Sequence, residues 1–298
     1  MDFSQKIALE EITGGRSGAQ IFKMYLGNQI YCLKFPQHYD VVPNLKKLQE
    51  ICRIYQELAI NSLEILGYGY YGTDKKQFCL FRYIPGQDFK TFSNQHCSLS
   101  EIYQAGIEIG QEAKKLKSYP VNRITYIKHE NLTELTQHIE KLYRSLNDLL
   151  QETGLIEAIA PLWEIAQRGP DLFTHTPPGL IHGDIKRSNI VIDPSGNKYF
   201  IDIGAMKYSY DVLNFRYQMT WLLLPENDRK REFVKGFLDG LYNFSRPSYF
   251  HEQVIYVALL NFLEHTHKFL HDEREIREYF TIMHPILDRL INSSGTIL

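Results

Sequence analysis

The stretch LIHGDIKRSNIVID, Leu180 to Asp193, sets His182, Asp184, Lys186 and Asn189 between two apolar runs, and a following run, KYFIDIG, carries Asp202 just before Gly204. Phosphoryl transfer needs a carboxylate that orients and deprotonates an attacking hydroxyl, and oxygen ligands that hold Mg2+ against nucleotide phosphates. Asp184 fits the base, and Asn189 and Asp202 fit the metal ligands. Taken singly, HGD also has the composition of a polar turn, and an Asp near a Gly is a common Asx turn. The chemical reading rests on the two halves being joined: NIVID-PSGN-KYFID reads as two short strands around a Pro-Ser-Gly turn, which carries the polar groups to one rim.

The rest of the chain supplies elements to position them. The segments GAQIFKMYLGN, QIYCLKFP, LEILGYGYYG and KQFCLFRYI alternate as strands do, with turn signals at Gly27-Asn28 and Thr73-Asp74. Between the second and third lies NLKKLQEICRIYQELAI, whose Leu45, Leu48, Ile51, Ile54 and Leu58 form one helical stripe. After Pro85-Gly86 long helical patterns take over, several opened by Ser or Asn and closed by Gly, and from Asp211 onward the pattern is helical again. The expected fold class is α+β: an N-terminal lobe over residues 1–84, an antiparallel sheet with one main helix, and a larger, mainly helical lobe over 85–298.

Within the N-terminal lobe, GGRSGAQIF places Gly14, Gly15, Ser17 and Gly18 where backbone amides can cover phosphates, although an ordinary hairpin has the same composition. The next strand carries Lys34 amid apolar neighbours, and sixteen residues on, Glu50 is placed to hold it as an ion pair, with Glu57 the competing partner.

Together these elements resemble the aminoglycoside phosphotransferase and choline kinase group, within the protein-kinase-like fold. GGRSGAQIF matches the nucleotide loop, Lys34 with Glu50 the phosphate clamp, HGDIKRSN the catalytic loop and FIDIG the metal-binding turn, in the family's order. Gly183 stands where protein kinases carry arginine, which is similar to the antibiotic kinases. The resemblance implies Asp184 as base, Asn189 and Asp202 as Mg2+ ligands, and Gly15, Ser17, Gly18, Lys34 and Glu50 around the nucleotide. It implies a structural role for His182, and backbone contacts from Arg82 to Ile84 to the base of ATP or GTP. Lys186 is similar to the catalytic-loop lysine of protein kinases that neutralises the transferred group, and also fits a solvated loop cation. No long activation segment follows Asp202, which counts against a peptide substrate. The implied activity is transfer of a γ-phosphoryl group to a hydroxyl of an aminoglycoside-like antibiotic. An endogenous amino alcohol or sugar is the alternative acceptor, and a non-catalytic nucleotide-binding module the alternative function.

Composition bounds the partners. A formal net charge of -2 over 298 residues gives no general pull toward nucleic acid or an anionic membrane. The N-terminal residues lack the pattern of a secretory signal, and no apolar run approaches the roughly 20 residues of a membrane span. Cys32, Cys52, Cys79 and Cys97 are widely spaced, with no CxxC pair, so a reducing cytoplasm is expected. Near the C-terminus Glu264, Asp272, Glu273, Glu275 and Glu278 are of the type that would line a pocket for a polycation. Lys268, Arg274 and Arg277 are interleaved with them, as on a solvated helix face.

Overall fold

The computed structural model of the chain describes residues 7–12, 19–35, 41–73, 75–217, 219, 228–268, 279–281 and 285–286, with 41–44 described in backbone only. The described residues fall in two compact units, one drawn from 1–92, 122–127 and 188–204, the other from 93–121, 128–187 and 205–298.

In the first unit, β1 (Ile7–Glu11), β2 (Gln20–Leu26), β3 (Gln29–Phe35), β4 (Ile65–Tyr71) and β5 (Lys76–Arg82) form an antiparallel sheet in the order β1-β2-β3-β5-β4. Gly27, at φ 60, makes the tight turn that pairs Leu26 with Gln29. Helix α1 (Val41–Glu57) buries Leu45, Ile51 and Ile54, part of the stripe read from the sequence, and also Tyr55. A smaller sheet joins β6 (Gln87–Asp88), β8 (Ile190–Ile192) and β9 (Lys198–Phe200). The β8–β9 turn forms because the Asp193 carboxylate accepts the amides of Ser195 at 2.9 Å and Asn197 at 2.8 Å, while Gly196 takes φ 84. Phe200 ties this hairpin to the chain after α1. Its amide donates to Asn61 O at 3.0 Å, its carbonyl accepts from Leu63 at 3.1 Å, and its ring packs on Tyr55 with centroids 5.7 Å apart.

The second unit is helical. Helix α2 (Phe89–His96) leads into it, followed by α3 (Leu99–Lys117), α4 (Leu132–Glu152), α5 (Leu155–Gln167), α6 (Asp228–Tyr242) and α7 (Phe250–Lys268). Ser98 and Glu101 form a reciprocal capping box at the start of α3, Asn131 caps α4, and Gly154 at φ 72 follows the end of α4, as the sequence pattern predicts. Every residue of α7 from Gln253 to Leu263 is buried, so this helix is the centre of the core, with α4 and α5 laid against it. Short strands β7 (Gly179–Ile181) and β10 (Lys207–Ser209) pair antiparallel. The strand β1 was not read from the sequence, and the segment Asp211–Phe215, expected to open an α-helix, is a 3-10 turn.

The tightest packing in this unit lies between α3 and α6. A Cβ on Gly106 would sit 2.4 Å from Phe233 O, on Gly110 2.1 Å from Phe237 O, on Gly236 2.0 Å from Tyr103 O, and on Gly240 2.1 Å from Ile107 O. The contacts advance in the same direction along both helices, so two pairs of glycines, each four residues apart, bring two parallel backbones together. Gly110→Ala adds helix propensity of about 1 kcal/mol but forces the helices apart, an overpacking cost of about 1–3 kcal/mol. A net loss of stability in urea denaturation is expected, and a surface substitution such as Lys115→Ala, on the same helix, should change it by less than about 0.5 kcal/mol.

Candidate active site

Asp184 lies in the loop that follows β7, in the second unit, and its local geometry is set by Gly183. That glycine is at φ +85, and a Cβ on it would lie 2.3 Å from Ala205 O. No side chain fits there on this backbone, which accounts for a glycine in the middle of HGD. His182, next in the loop, is buried, and its Nδ1 accepts the Asp184 amide at 3.4 Å. The Asp184 carboxylate is largely buried and forms an ion pair with Lys186 Nζ. Lys186 is therefore directed at the carboxylate rather than free in solvent. Two further amides of the loop are held by Asn214: Gly183 N–H donates to its Oδ1 at 3.1 Å and Ile185 N–H to its carbonyl at 3.0 Å.

Asn189 and Asp202, the residues expected to be metal ligands, belong to the first unit. Asn189 ends the 3-10 turn Arg187–Asn189 and precedes β8, and its carbonyl accepts the Ile201 amide at 2.9 Å, beside Asp202. The hairpin register therefore brings Asn189 and Asp202 to one open end. Asp202 has φ 54, a left-handed conformation that Asp tolerates better than most residues, and its side chain is half exposed. Lys34 Nζ lies 3.2 Å from Asp202 Oδ1. An amide oxygen and a carboxylate are hard donors of the type Mg2+ takes alongside phosphate oxygens, so the pair fits that ion.

Glu50 is placed differently from expectation. It forms no ion pair with Lys34; its carboxylate accepts the backbone amides of Thr125 at 2.7 Å, Tyr126 at 2.8 Å and Ile127 at 3.1 Å. Three N–H groups in a fixed nest hold a buried carboxylate more strongly than one mobile ammonium does, and no periodicity announces an irregular segment as partner. Glu57, the competing candidate, pairs with Arg53 and Arg123. One turn before Glu50, Lys47 Nζ donates to Gly204 O at 2.8 Å, a contact that sequence reading missed, so α1 grips the turn after Asp202 directly. Arg82 has its amide bonded to Glu64 O at 2.9 Å and its guanidinium on the Glu64 carboxylate at 2.5 Å. Tyr83 to Pro85, with Ile84, leave the sheet, so their backbone groups enter no strand ladder. Gly15, Ser17 and Gly18 lie outside the described residues; on either side of them β1 and β2 pair antiparallel, and Ile12 N–H donates to Ile21 O at 2.8 Å.

In the second unit a partly buried ion network lies on β10, the partner of the strand leading to Asp184. Glu130 accepts from Lys207 at 2.5 Å, Arg216 at 3.1 Å and Ser209 at 3.0 Å, and Arg216 also reaches Glu264 at 2.5 Å, which takes His138 at 3.2 Å. Burial opposes ionisation of Glu130, but Lys207 and Arg216 outweigh it and hold the carboxyl below the ordinary glutamate value of 4.5. Asp272, Glu273, Arg274, Glu275, Arg277 and Glu278 lie outside the described residues, and Lys268 ends α7 as an exposed residue. The four cysteines are free thiols, and no described helix is long and apolar enough to cross a membrane.

Comparison with known proteins gives a consistent picture. The model of a phosphotransferase enzyme family matches residues 8–236. Among solved structures, the GDP complex of a mutant aminoglycoside 2'-phosphotransferase-IIIa superposes with a TM-score of 0.76 at 14% identity, over 98% of this chain and 94% of that one. The GDP and kanamycin complex of APH(2")-IIia gives 0.73 at 15%, over 97% and 95%, and spectinomycin phosphotransferase with ADP and spectinomycin gives 0.60 at 15%, over 95% and 92%. At these identities the likeness is one of fold. No curated protein sequence matches the chain.

Two outcomes follow from the geometry. Glu50→Ala strips three backbone amides of their acceptor and is expected to cost about 2–4 kcal/mol in urea denaturation, more than Lys34→Ala, whose partner is half exposed. The Glu130 carboxyl is held down in the folded chain, so its contribution is fully present above pH 4.5 and is lost as pH falls through the lowered folded value. Thermal melts should therefore show wild type ahead of Glu130→Gln at neutral pH, with the gap closing as the pH drops below that of an ordinary glutamate.

Proposed function

The chain belongs to the phosphotransferase enzyme family and is a kinase-type phosphotransferase, and we propose that it transfers the γ-phosphoryl group of ATP or GTP to a hydroxyl of an aminoglycoside-like compound. The observation that carries this reading is the local geometry that each unit gives its own share of the candidate site residues. Asp184 sits in a glycine-enforced loop with Lys186 on its carboxylate, and Asn189 and Asp202 stand at the open end of one hairpin with Lys34 on Asp202.

In this reading Asp184 accepts the proton of the attacking hydroxyl, and Lys186 offsets charge on the transferred group. Lys34 contacts the nucleotide phosphates, and Gly15, Ser17 and Gly18 cover them with backbone amides. Asn189 and Asp202 would hold Mg2+, which when bound neutralises phosphate charge. The base is met by backbone groups around Ile84 rather than by the Arg82 amide, which is already bonded. The division read from the sequence, a nucleotide lobe over 1–84 and an acceptor lobe over 85–298, is part of the same proposal, with 85–92, 122–127 and 188–204 clustering in the first unit; so is a cytoplasmic setting for a chain with four free thiols. No nucleic-acid or membrane partner is needed. Solved relatives bound to kanamycin with GDP and to spectinomycin with ADP support the acceptor class.

One observation favours the second acceptor class, an endogenous amino alcohol or sugar. Glu264, the described member of the C-terminal acidic group, is already compensated by Arg216 and His138, so it offers a polycation less attraction than a free carboxylate would.

The test is nucleotide consumption with ATP and GTP across kanamycin, spectinomycin, choline and simple sugars. Phosphorylation of an aminoglycoside, abolished by Asp184→Ala with nucleotide binding retained, is the expected result. Turnover by Asp184→Ala equal to wild type would remove Asp184 as base, and nucleotide binding without consumption on any compound would leave a binding module.

A further inference from the structure

Asn214 is fully buried in the 3-10 turn Asp211–Phe215, and three of its polar atoms are committed. Its Oδ1 accepts Gly183 N–H at 3.1 Å, its carbonyl accepts Ile185 N–H at 3.0 Å, and its Nδ2 donates to Asp211 O at 3.1 Å. The last bond decides the orientation of the amide: the nitrogen must face the Asp211 carbonyl, so the oxygen faces the Gly183 hydrogen. The turn itself is anchored from below. The buried Asp211 carboxylate is paired with Lys117 at the end of α3 and accepts the Tyr242 hydroxyl at 2.9 Å at the end of α6.

The two loop amides that Asn214 takes belong to the peptide planes on either side of the Gly183–Asp184 unit. Gly183 is the residue with the greatest conformational freedom in the loop, and it must hold φ +85. Pinning the peptide planes before Gly183 and after Asp184 removes that freedom and fixes the direction in which the Asp184 Cα–Cβ bond leaves the backbone. A displacement of about 1 Å in a catalytic group costs on the order of a hundredfold in rate.

We propose that Asn214 is a positioning residue for phosphoryl transfer, a side-chain and backbone clamp that sets the geometry of Asp184 without touching substrate. The proposal rests on the reading of Asp184 as base. Asn214 is a neutral amide because the role needs an acceptor for Gly183 and a donor for Asp211 O at once, which neither an aliphatic side chain nor an ionised carboxylate supplies.

The experiment compares wild type with Asn214→Leu, which matches the shape but has no acceptor, and Asn214→Asp, which keeps an acceptor oxygen. Backbone hydrogen exchange at Gly183 is measured along with turnover of GTP with kanamycin. In Asn214→Leu, Gly183 exchange should speed up at least tenfold. The kcat should fall at least tenfold, with the KM for GTP within twofold and the thermal midpoint within a few degrees; Asn214→Asp should recover part of the kcat. Unchanged Gly183 exchange in folded Asn214→Leu overturns the clamp, and faster exchange with unchanged kcat overturns its role in the reaction. Should Asn214→Leu fail to fold, Asn214→Ser, whose hydroxyl is too short to reach Gly183, is read by the same criteria. Asp184→Ala run in parallel separates the two claims. Full turnover there defeats the base assignment, while the exchange measurement, which needs no acceptor, still decides the clamp.

Discussion

Two helices that touch backbone to backbone are the constraint on which the helical unit depends. With glycine at 106, 110, 236 and 240, α3 and α6 approach until any Cβ would meet a carbonyl of the opposite helix. Because the helices run parallel, their C-terminal ends arrive together, and those ends carry Lys117 and Tyr242 to the Asp211 carboxylate. Burial raises the cost of that charge and pushes the Asp211 carboxyl upward, while Lys117 and Tyr242 offset it. The turn that begins at Asp211 then holds the loop before and after Asp184. Removing space between two helices thus orders a carboxylate that neither helix contains.

The first unit solves the parallel problem with charges on backbone rather than with missing side chains. Lys47 on a carbonyl and Glu50 on three amides make one face of α1 a grip on irregular chain, Gly204 on one side and Thr125 to Ile127 on the other. Phe200 and Tyr55 add an apolar contact between the same helix and the hairpin. An irregular segment has no ladder to satisfy its amides, so a helix that supplies charged partners can fix it where a sheet cannot.

The sequence shows clearly whatever depends on period and turn chemistry. The strands β2 to β5, the stripe of α1, the Ser98 and Asn131 caps and the Pro-Ser-Gly hairpin were all legible, because each is a local pattern with a local cause. Asn189 and Asp202 could be placed at one rim because strand register converts sequence spacing into proximity. Glu50 could not be resolved, since its choice between an ammonium and a nest of amides depends on the path of residues 122–127. The glycines of α3 and α6 stand at helical spacing in the sequence, yet nothing local distinguishes a glycine that admits a neighbouring backbone from one that merely weakens a helix. Asn214 gave no signal: its side-chain amide and its own carbonyl act on a loop distant in sequence.

The close approach of Gly183 to the Ala205 carbonyl also bears on how such loops diverge. A larger residue at 183 cannot be introduced by side-chain exchange alone, since the carbonyl it would strike belongs to the turn after Asp202. With Gly183 at φ +85 facing the Ala205 carbonyl, a residue with a Cβ at 183 requires the backbone to change at 183, at 205, or at both. The middle residue of the triplet is in this way coupled by packing to a segment more than twenty positions away.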